Sequence, residues 1–370
     1  MNTTREIDLE DAEGLLAADR EGLLRAVSSA GAQVRAVAAA ADEGALDSLR
    51  AGDRARSVIW VAGRGTAETA GAMLAATLGG AASEPIVVAS EAPPWVGPLD
   101  VLIIAGDDPG DPALVGAAAT GVRRGARVVV VAPYEGPLRD TTAGRAAVLE
   151  PRLWVPAEFG LCRYLAAGLA SLQTVDSRMN IDLASLADEL DAEALRNSAG
   201  RELFTNPAKT IAARISGRQV ALTGDCAATL ALARHGSSTL LRIAHQMVAA
   251  AGLADAVVAL EASNGFQDAP SSVDALFHDE EIDGPLPERL RVLALTLAED
   301  RTVVAARVAG LDDIYLIAAE DVPDVPDPAV GLAGSAALRA PTGAGRAEDQ
   351  LAILAVRLEM AAVYLRLVRG

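Results

Sequence analysis

The chain has 370 residues, 51% of them hydrophobic and only 3% aromatic, and its 50 acidic side chains against 32 Lys and Arg give a net charge of −18. That length predicts roughly two domains of about 150 residues, with apolar content enough for a core in each. An acidic surface repels phosphate backbones and few aromatics are present to stack bases, which argues against nucleic acid as a partner.

Residues 1–11 are polar and acidic, unlike a signal peptide. Residues 8–50 read as helical, with Ala dominant and apolar positions at helical spacing. From Ser57 onward, short β-branched runs alternate with Ala- and Leu-rich stretches. Strands are expected at 58–62, 86–89, 101–105, 127–132 and 147–149, with helices at 66–78, 111–124 and 157–174. Such short, wholly apolar strands suit burial on both faces, and their alternation with helices implies a parallel sheet with right-handed crossovers. The longest apolar run, 159–175, is broken by Arg163 and Gln173, so it predicts a buried helix and no membrane span. A polar stretch, 176–201, reads as a linker with one helix.

The pattern then repeats. Helix is expected at 206–215, 237–251 and 300–308, and strand at 219–223, 256–260, 290–297 and 314–318. Residues 321–328 are Pro-rich and read as a loop. The last segment, 348–369, places Leu351, Leu354, Leu358, Ala361, Leu365 and Val368 on one apolar stripe, with Arg357, Arg366 and Arg369 largely off it. The fold class is therefore α/β, two parallel-sheet lobes with helical extensions at each end. The division is 1–55 for the N-terminal helices, 56–175 for the first lobe, 176–204 for the linker and 205–370 for the second lobe.

Cys162 and Cys226 form no CxxC pair and stand near no histidine cluster, so neither a zinc site nor a disulfide framework is expected. Two reduced thiols fit a cytoplasmic protein. Lys209 is the only lysine, which rules out a catalytic lysine elsewhere. No metal or cofactor is assigned.

Three segments could carry chemistry. Gly63-Arg64-Gly65-Thr66 follows a strand and opens a helix, where glycines allow close approach and the helix N-terminus offers N–H groups to an anion. A dinucleotide turn would want glycine where Glu68 stands, although Glu91 could mimic the ribose-binding acid. A plain tight turn and a seat for a small phosphorylated or hydroxylated ligand are the other readings. Gly106-Asp107-Asp108-Pro109-Gly110-Asp111-Pro112 follows the third strand. There Asp111 reads as an N-cap before a Pro, while Asp107 and Asp108 could form a solvated turn, bind a cation or accept sugar hydroxyls. In 237–246, Ser237 reads as an N-cap. Arg242 and His245 share a helix face and could bind an anion, although a lone His is more often a packing residue.

Two lobes, the glycine turn, Asn206-Pro207-Ala208-Lys209 opening the second lobe and Ala362-Val363-Tyr364-Leu365 in the final helix together resemble the SIS-domain bifunctional phosphoglucose/phosphomannose isomerases. The Arg-rich, Lys-poor composition resembles an actinobacterial member. The resemblance implies a homodimer, a sugar-phosphate site between the lobes and aldose–ketose isomerisation, with a carboxylate base and a ring-opening His.

This sequence departs from that pattern at four places. The family's turn after the third strand is rich in Ser and Thr, whereas residues 106–111 carry three acids and no hydroxyl. A phosphate at about 5 Å from each would be repelled by on the order of 3 kcal/mol per unit charge at an effective dielectric of 20. Gln246 aligns with the family's Glu base and cannot take a proton at neutral pH; His245 is its neighbour. No His falls within 261–266, where the ring-opening residue would stand, and His278 is the next. The family's late lysine is missing. The expectation is a carbohydrate-derivative (phosphosugar) binding protein without the usual isomerase machinery, contacting its ligand through Gly63, Arg64, Gly65, Thr66, Asp107, Asp108, Arg242, Gln246 and His235. The alternative is an active isomerase with His245 or Glu261 as base, and a third reading is a nucleotide- or metal-dependent enzyme.

Overall fold

Val- and Ile-rich runs become central strands because their branched side chains fill the space between a sheet and the helices covering it. The computed structural model describes residues 7–50, 53–266, 289–321 and 345–369, with side chains to 262 in the second of these spans. His278 and all of 321–328 except Asp321 lie outside the described residues.

The chain opens with α1 (Ala12–Ala18), α2 (Leu23–Val27) and α3 (Ala30–Asp42). Then follow β1 (Ser57–Val61), α4 (Gly65–Leu78), β2 (Ile86–Ala89), β3 (Asp100–Ala105), α5 (Pro112–Arg124), β4 (Arg127–Val131), α6 (Gly136–Thr142) and β5 (Ala146–Val148). The strands pair in parallel in the order β2-β1-β3-β4-β5, and β1 and β3 are buried throughout. The strands of this first sheet lie where the sequence put them; α6 is an addition.

α7 (Leu161–Val175) is the buried helix expected from its apolar run, and burial pushes its Cys162 thiol well up from the ordinary value. α8 (Leu183–Arg196) follows, and then α9 (Pro207–Ile215), whose first turn is capped by Asn206 accepting from the Lys209 N–H at 2.9 Å. The single lysine is structural: its buried Nζ donates to the carbonyls of Ala199 and Arg201 at 2.8 Å each.

The second sheet contains β6 (Val220–Gly224), β7 (Ala249–Gly252), β8 (Arg291–Leu295) and β9 (Ile314–Ile317), parallel in the order β7-β6-β8-β9. Between them run α10 (Ala227–Ala244), α11 (Leu253–Phe266) and α12 (Arg301–Arg307). Three expectations are overturned here. Residues 249–251, read as helix, form the edge strand β7, registered Ala221↔Ala249 through Gly224↔Gly252. The helical preference of Ala amounts to less than about 1 kcal/mol per residue and yields to a ladder of sheet hydrogen bonds. Residues 256–260, read as strand, lie inside α11; a short apolar run has no period that separates the two states. Ser237 is not an N-cap, because α10 begins well before it; its hydroxyl donates to the Val248 carbonyl instead.

α13 (Ala347–Arg369) closes the chain and packs on α9 and α10, on α8, and on α4 and α7, so one helix braces both lobes. It is buried on nearly every side and not along one stripe. Arg357, expected off the stripe, is 1% exposed. Its Nε and Nη2 donate to the Glu193 carboxylate at 2.5 and 3.3 Å, and its Nη1 and Nη2 to the carbonyls of Ala318 and Ala319 at 2.7 and 2.5 Å. Arg196 Nε also donates to Glu193, at 2.9 Å. Removing one member of such a buried set typically costs about 3–5 kcal/mol. No helix among the described residues is long and apolar enough to cross a membrane.

Candidate functional site

A cavity of about 380 Å³ opens between the lobes. Its floor is the C-terminal end of the first sheet, where β1 runs into Gly63-Arg64-Gly65-Thr66 and β3 into Gly106-Asp107-Asp108, and its far wall is Ser238 and Arg242 of α10. Parallel strands direct ligand sites to this end because the following helices present their N-termini there. Gly65 sits at φ 68°, a left-handed conformation that side chains resist, and starts α4. Among the described residues no side chain caps α4. A Cβ added at Gly63 or Gly65 would meet nothing within 4 Å, so the turn faces open space.

Thr66 is buried, and its hydroxyl donates to the Ala157 carbonyl at 3.1 Å, so its proton is committed and only its lone pairs are left for other partners. Asp111 caps α5 by accepting from the Ala113 N–H at 2.9 Å with Pro112 in the first turn, as the sequence predicted. Asp108 accepts from the Gly110 N–H at 2.8 Å. Asp107 Oδ1 accepts from Arg163 Nη2 at 2.9 Å and from the Tyr164 hydroxyl at 2.7 Å, while no protein hydrogen bond reaches Oδ2 among the described residues. Burial pushes the Tyr164 hydroxyl well above its ordinary pKa, so it stays a donor.

The expected repulsion of a phosphate by three acids is reduced, though not cancelled. Arg64 Nη2 lies 3.2 Å from Asp111 Oδ2 and 4.0 Å from Asp108 Oδ2, Arg163 neutralises Asp107, and Arg242 pairs with Glu158 across the cleft. Four carboxylates thus face three guanidiniums. Arg64 and Arg242 are largely or half exposed, so a ligand can draw them from their present partners at little cost.

Of the candidate residues, Gly63, Arg64, Gly65, Thr66, Asp107, Asp108 and Arg242 line the cleft together. The others do not. His235 is buried in α10, its Nε2 2.8 Å from Glu359 Oε1 of α13. His245 is the exposed C-cap of α10 at φ 51°, and Gln246 follows it, so neither projects from a helix face as expected. Glu261 is exposed on α11 and follows no strand. The missed residue is Ser238, exposed and in the cleft. The signal that could have found it is its place four residues before Arg242, which puts both on one face of α10. Glu68 is exposed in the first turn of α4, where a carboxylate complements the helix dipole.

No family model and no curated relative matches the chain. Solved structures do. Tagatose-6-phosphate ketose/aldose isomerase from Escherichia coli is similar at a TM-score of 0.58 and 15% identity, over 98% of this chain and 93% of its own. The C-terminal domain of glucosamine-fructose-6-phosphate aminotransferase from Francisella tularensis matches at 0.57 and 10% identity, over 94% and 96%. Glucosamine-6-phosphate deaminase from Thermotoga maritima matches at 0.55 and 9%, over 94% and 95%. What the chain shares with them is the two-lobed sugar-isomerase fold, along nearly its whole length.

Proposed function

We propose that the chain is a sugar-isomerase-type protein that holds a phosphosugar in the cleft between its lobes, without the family's isomerase machinery. The observation that carries this reading is the composition of the cleft. The uncapped N-terminus of α4, Arg64, Arg242 and Ser238 offer donors and positive charge to a phosphate, and Asp107 and Asp108 offer acceptors to sugar hydroxyls. The similar structures named above act on sugar phosphates by their titles, which adds to the same reading. Catalysis is the weaker side. Neither histidine of the described residues lines the cleft, His235 being tied to Glu359 and His245 standing beyond the end of α10. We also infer a homodimer, as the resemblance implies; Trp154, Phe204 and Met247 leave large apolar surface in water at 92%, 78% and 82% exposure.

The test is calorimetry and a coupled assay with glucose 6-phosphate, mannose 6-phosphate and fructose 6-phosphate. Saturable binding without turnover is expected, and at 100 times the dissociation constant the ligand should stabilise the fold by about 2.7 kcal/mol. Turnover that co-purifies with the protein would overturn the non-catalytic reading and direct attention to Asp108, the most exposed of the three aspartates lining the cleft. Failure of all three to bind would remove the phosphosugar. Light scattering should give twice the chain mass.

A further inference from the structure

A second cavity, of about 390 Å³, lies between α9, the end of β9 and α13, and shares no lining residue with the cleft. Arg214, Arg301 and Arg357 line it together with one carboxylate, Asp321. Arg214, in the last turn of α9, reaches it with its guanidinium 4.5 Å from the centre of the Tyr315 ring. Arg301 enters from the start of α12, and the buried Arg357 forms part of the wall. Beside them Arg291 stands 5.3 Å from the same Tyr315 ring, its Nη1 donating to the Arg214 carbonyl at 3.0 Å.

The pairing is uneven. Arg301 has Glu320 and Asp321 at 3.1 and 2.6 Å, and Arg357 has Glu193. Arg214 and Arg291 have no carboxylate within ion-pair reach among the described residues, and Arg291 Nε is buried without a hydrogen-bond partner. Among the described residues, the guanidiniums of Arg214, Arg291, Arg301 and Arg357 stand against the carboxylates of Glu193, Glu320 and Asp321, in a chain whose net charge is −18. Burial above all pushes the Arg214 pKa down; Tyr315 and Asp321 pull against it and Arg291 adds to it. The carbonyls ending α9 and the Tyr315 face account for one cation at this place. They do not account for two that repel each other, which an anion would relieve.

We propose that this cavity is a second ligand site, for a small oxyanion-bearing metabolite, with Arg214 as its principal contact. Tyr315 already carries guanidiniums, so the ligand needs no aromatic ring to stack. Arg301 would exchange part of its hold on Asp321 for the ligand, and Leu316 and Ile317 supply an apolar wall for a short carbon skeleton.

The test is titration calorimetry with pyrophosphate and with citrate at constant ionic strength, in full-length protein carrying Arg242→Gln so that the interlobe cleft contributes least. Saturable binding of at least one probe is expected, with a loss of about tenfold or more on adding Arg214→Gln. Preference between the probes tells phosphate from carboxylate. Should Arg214→Gln fail to fold by circular dichroism, Arg301→Gln, which also removes a guanidinium from the cavity lining, is the second variant, with the same expected loss. Binding unchanged by these substitutions, or no saturable binding of either probe, overturns the proposal. Neither result touches the phosphosugar reading, which depends on Arg64 and Arg242.

Discussion

Each lobe has a strand that runs through a glycine into a long helix, β1 through Gly63 into α4 and β6 through Gly224 into α10, yet only one of these joints is open. In the second lobe the helix N-terminus is filled by the chain itself. Thr229 Oγ1 accepts from the Cys226 N–H at 3.2 Å and lies 3.0 Å from Asp225 Oδ1, with Thr296 Oγ1 at 3.4 Å from the other oxygen of Asp225. Gly224 is buried, and a Cβ there would fall 2.2 Å from the Leu230 nitrogen. In the first lobe no side chain among the described residues caps α4, and Gly63 and Gly65 face open space. The Asp225 carboxylate, held by the hydroxyls of Thr229 and Thr296 beside the start of α10, repels an anionic ligand there. The same local unit is therefore a sealed joint in one lobe and a seat in the other, and the chemistry of two or three residues decides which.

The comparison breaks most visibly at the two glycines. Gly224→Ala must displace backbone atoms, since Thr229 C lies 2.4 Å from the new Cβ as well. Overpacking of that kind is expected to cost about 3 kcal/mol in urea denaturation. Gly63→Ala meets nothing and should stay within about 0.5 kcal/mol of the parent. Equal stabilities for the two variants would mean that the second-lobe joint is not sealed.

The open joint is sharpened by closing it. Arg64→Ser places a capping hydroxyl before α4 while removing an exposed ion pair with Asp111, two changes of about 1 kcal/mol or less and of opposite sign. The melting temperature should hardly move. Phosphosugar binding should weaken about tenfold, read by calorimetry, because the guanidinium is gone and the cap competes for the same N–H groups. Unchanged affinity would take Arg64 out of the site.

How much of this was legible in the sequence follows the same division between lobes. The first sheet could be read because runs such as Val58-Ile59-Trp60-Val61 and Val128-Val129-Val130-Val131 consist of β-branched and aromatic residues, which favour strand, and they are buried on both faces. In the second sheet the edge strand is Ala249-Ala250-Ala251-Gly252, residues whose own preference is for other states, and only pairing with β6 fixes them. Misplacing the start of α10 then hid Ser238. In the cleft, Gly63, Asp107 and Arg242 could be found because strand ends and helix faces are local properties. Arg163, which pairs with one of the acids, could not, since it lies 56 positions from Asp107 and meets it only once folded. His235 looked available for the same reason: its partner Glu359 is 124 positions away.

The smallest expected effect tests the sealed joint from within. Thr229 is fully buried, and its hydroxyl serves both the Cys226 N–H and Asp225. Thr229→Ala should cost about 1 kcal/mol, because it removes the third-residue half of the capping box that begins at the N-cap Cys226, measured as a lower urea midpoint with an unchanged slope. Thr229→Ser keeps the hydroxyl and should recover most of the loss. Were the serine variant as unstable as the alanine one, the lost methyl and not the cap would be responsible. The N-terminus of α10 would then be held shut by packing around Gly224 alone. If serine does restore stability, the two joints differ by a hydroxyl and a carboxylate in one and their absence in the other, a difference small enough to move a ligand seat from one lobe to the other by substitution.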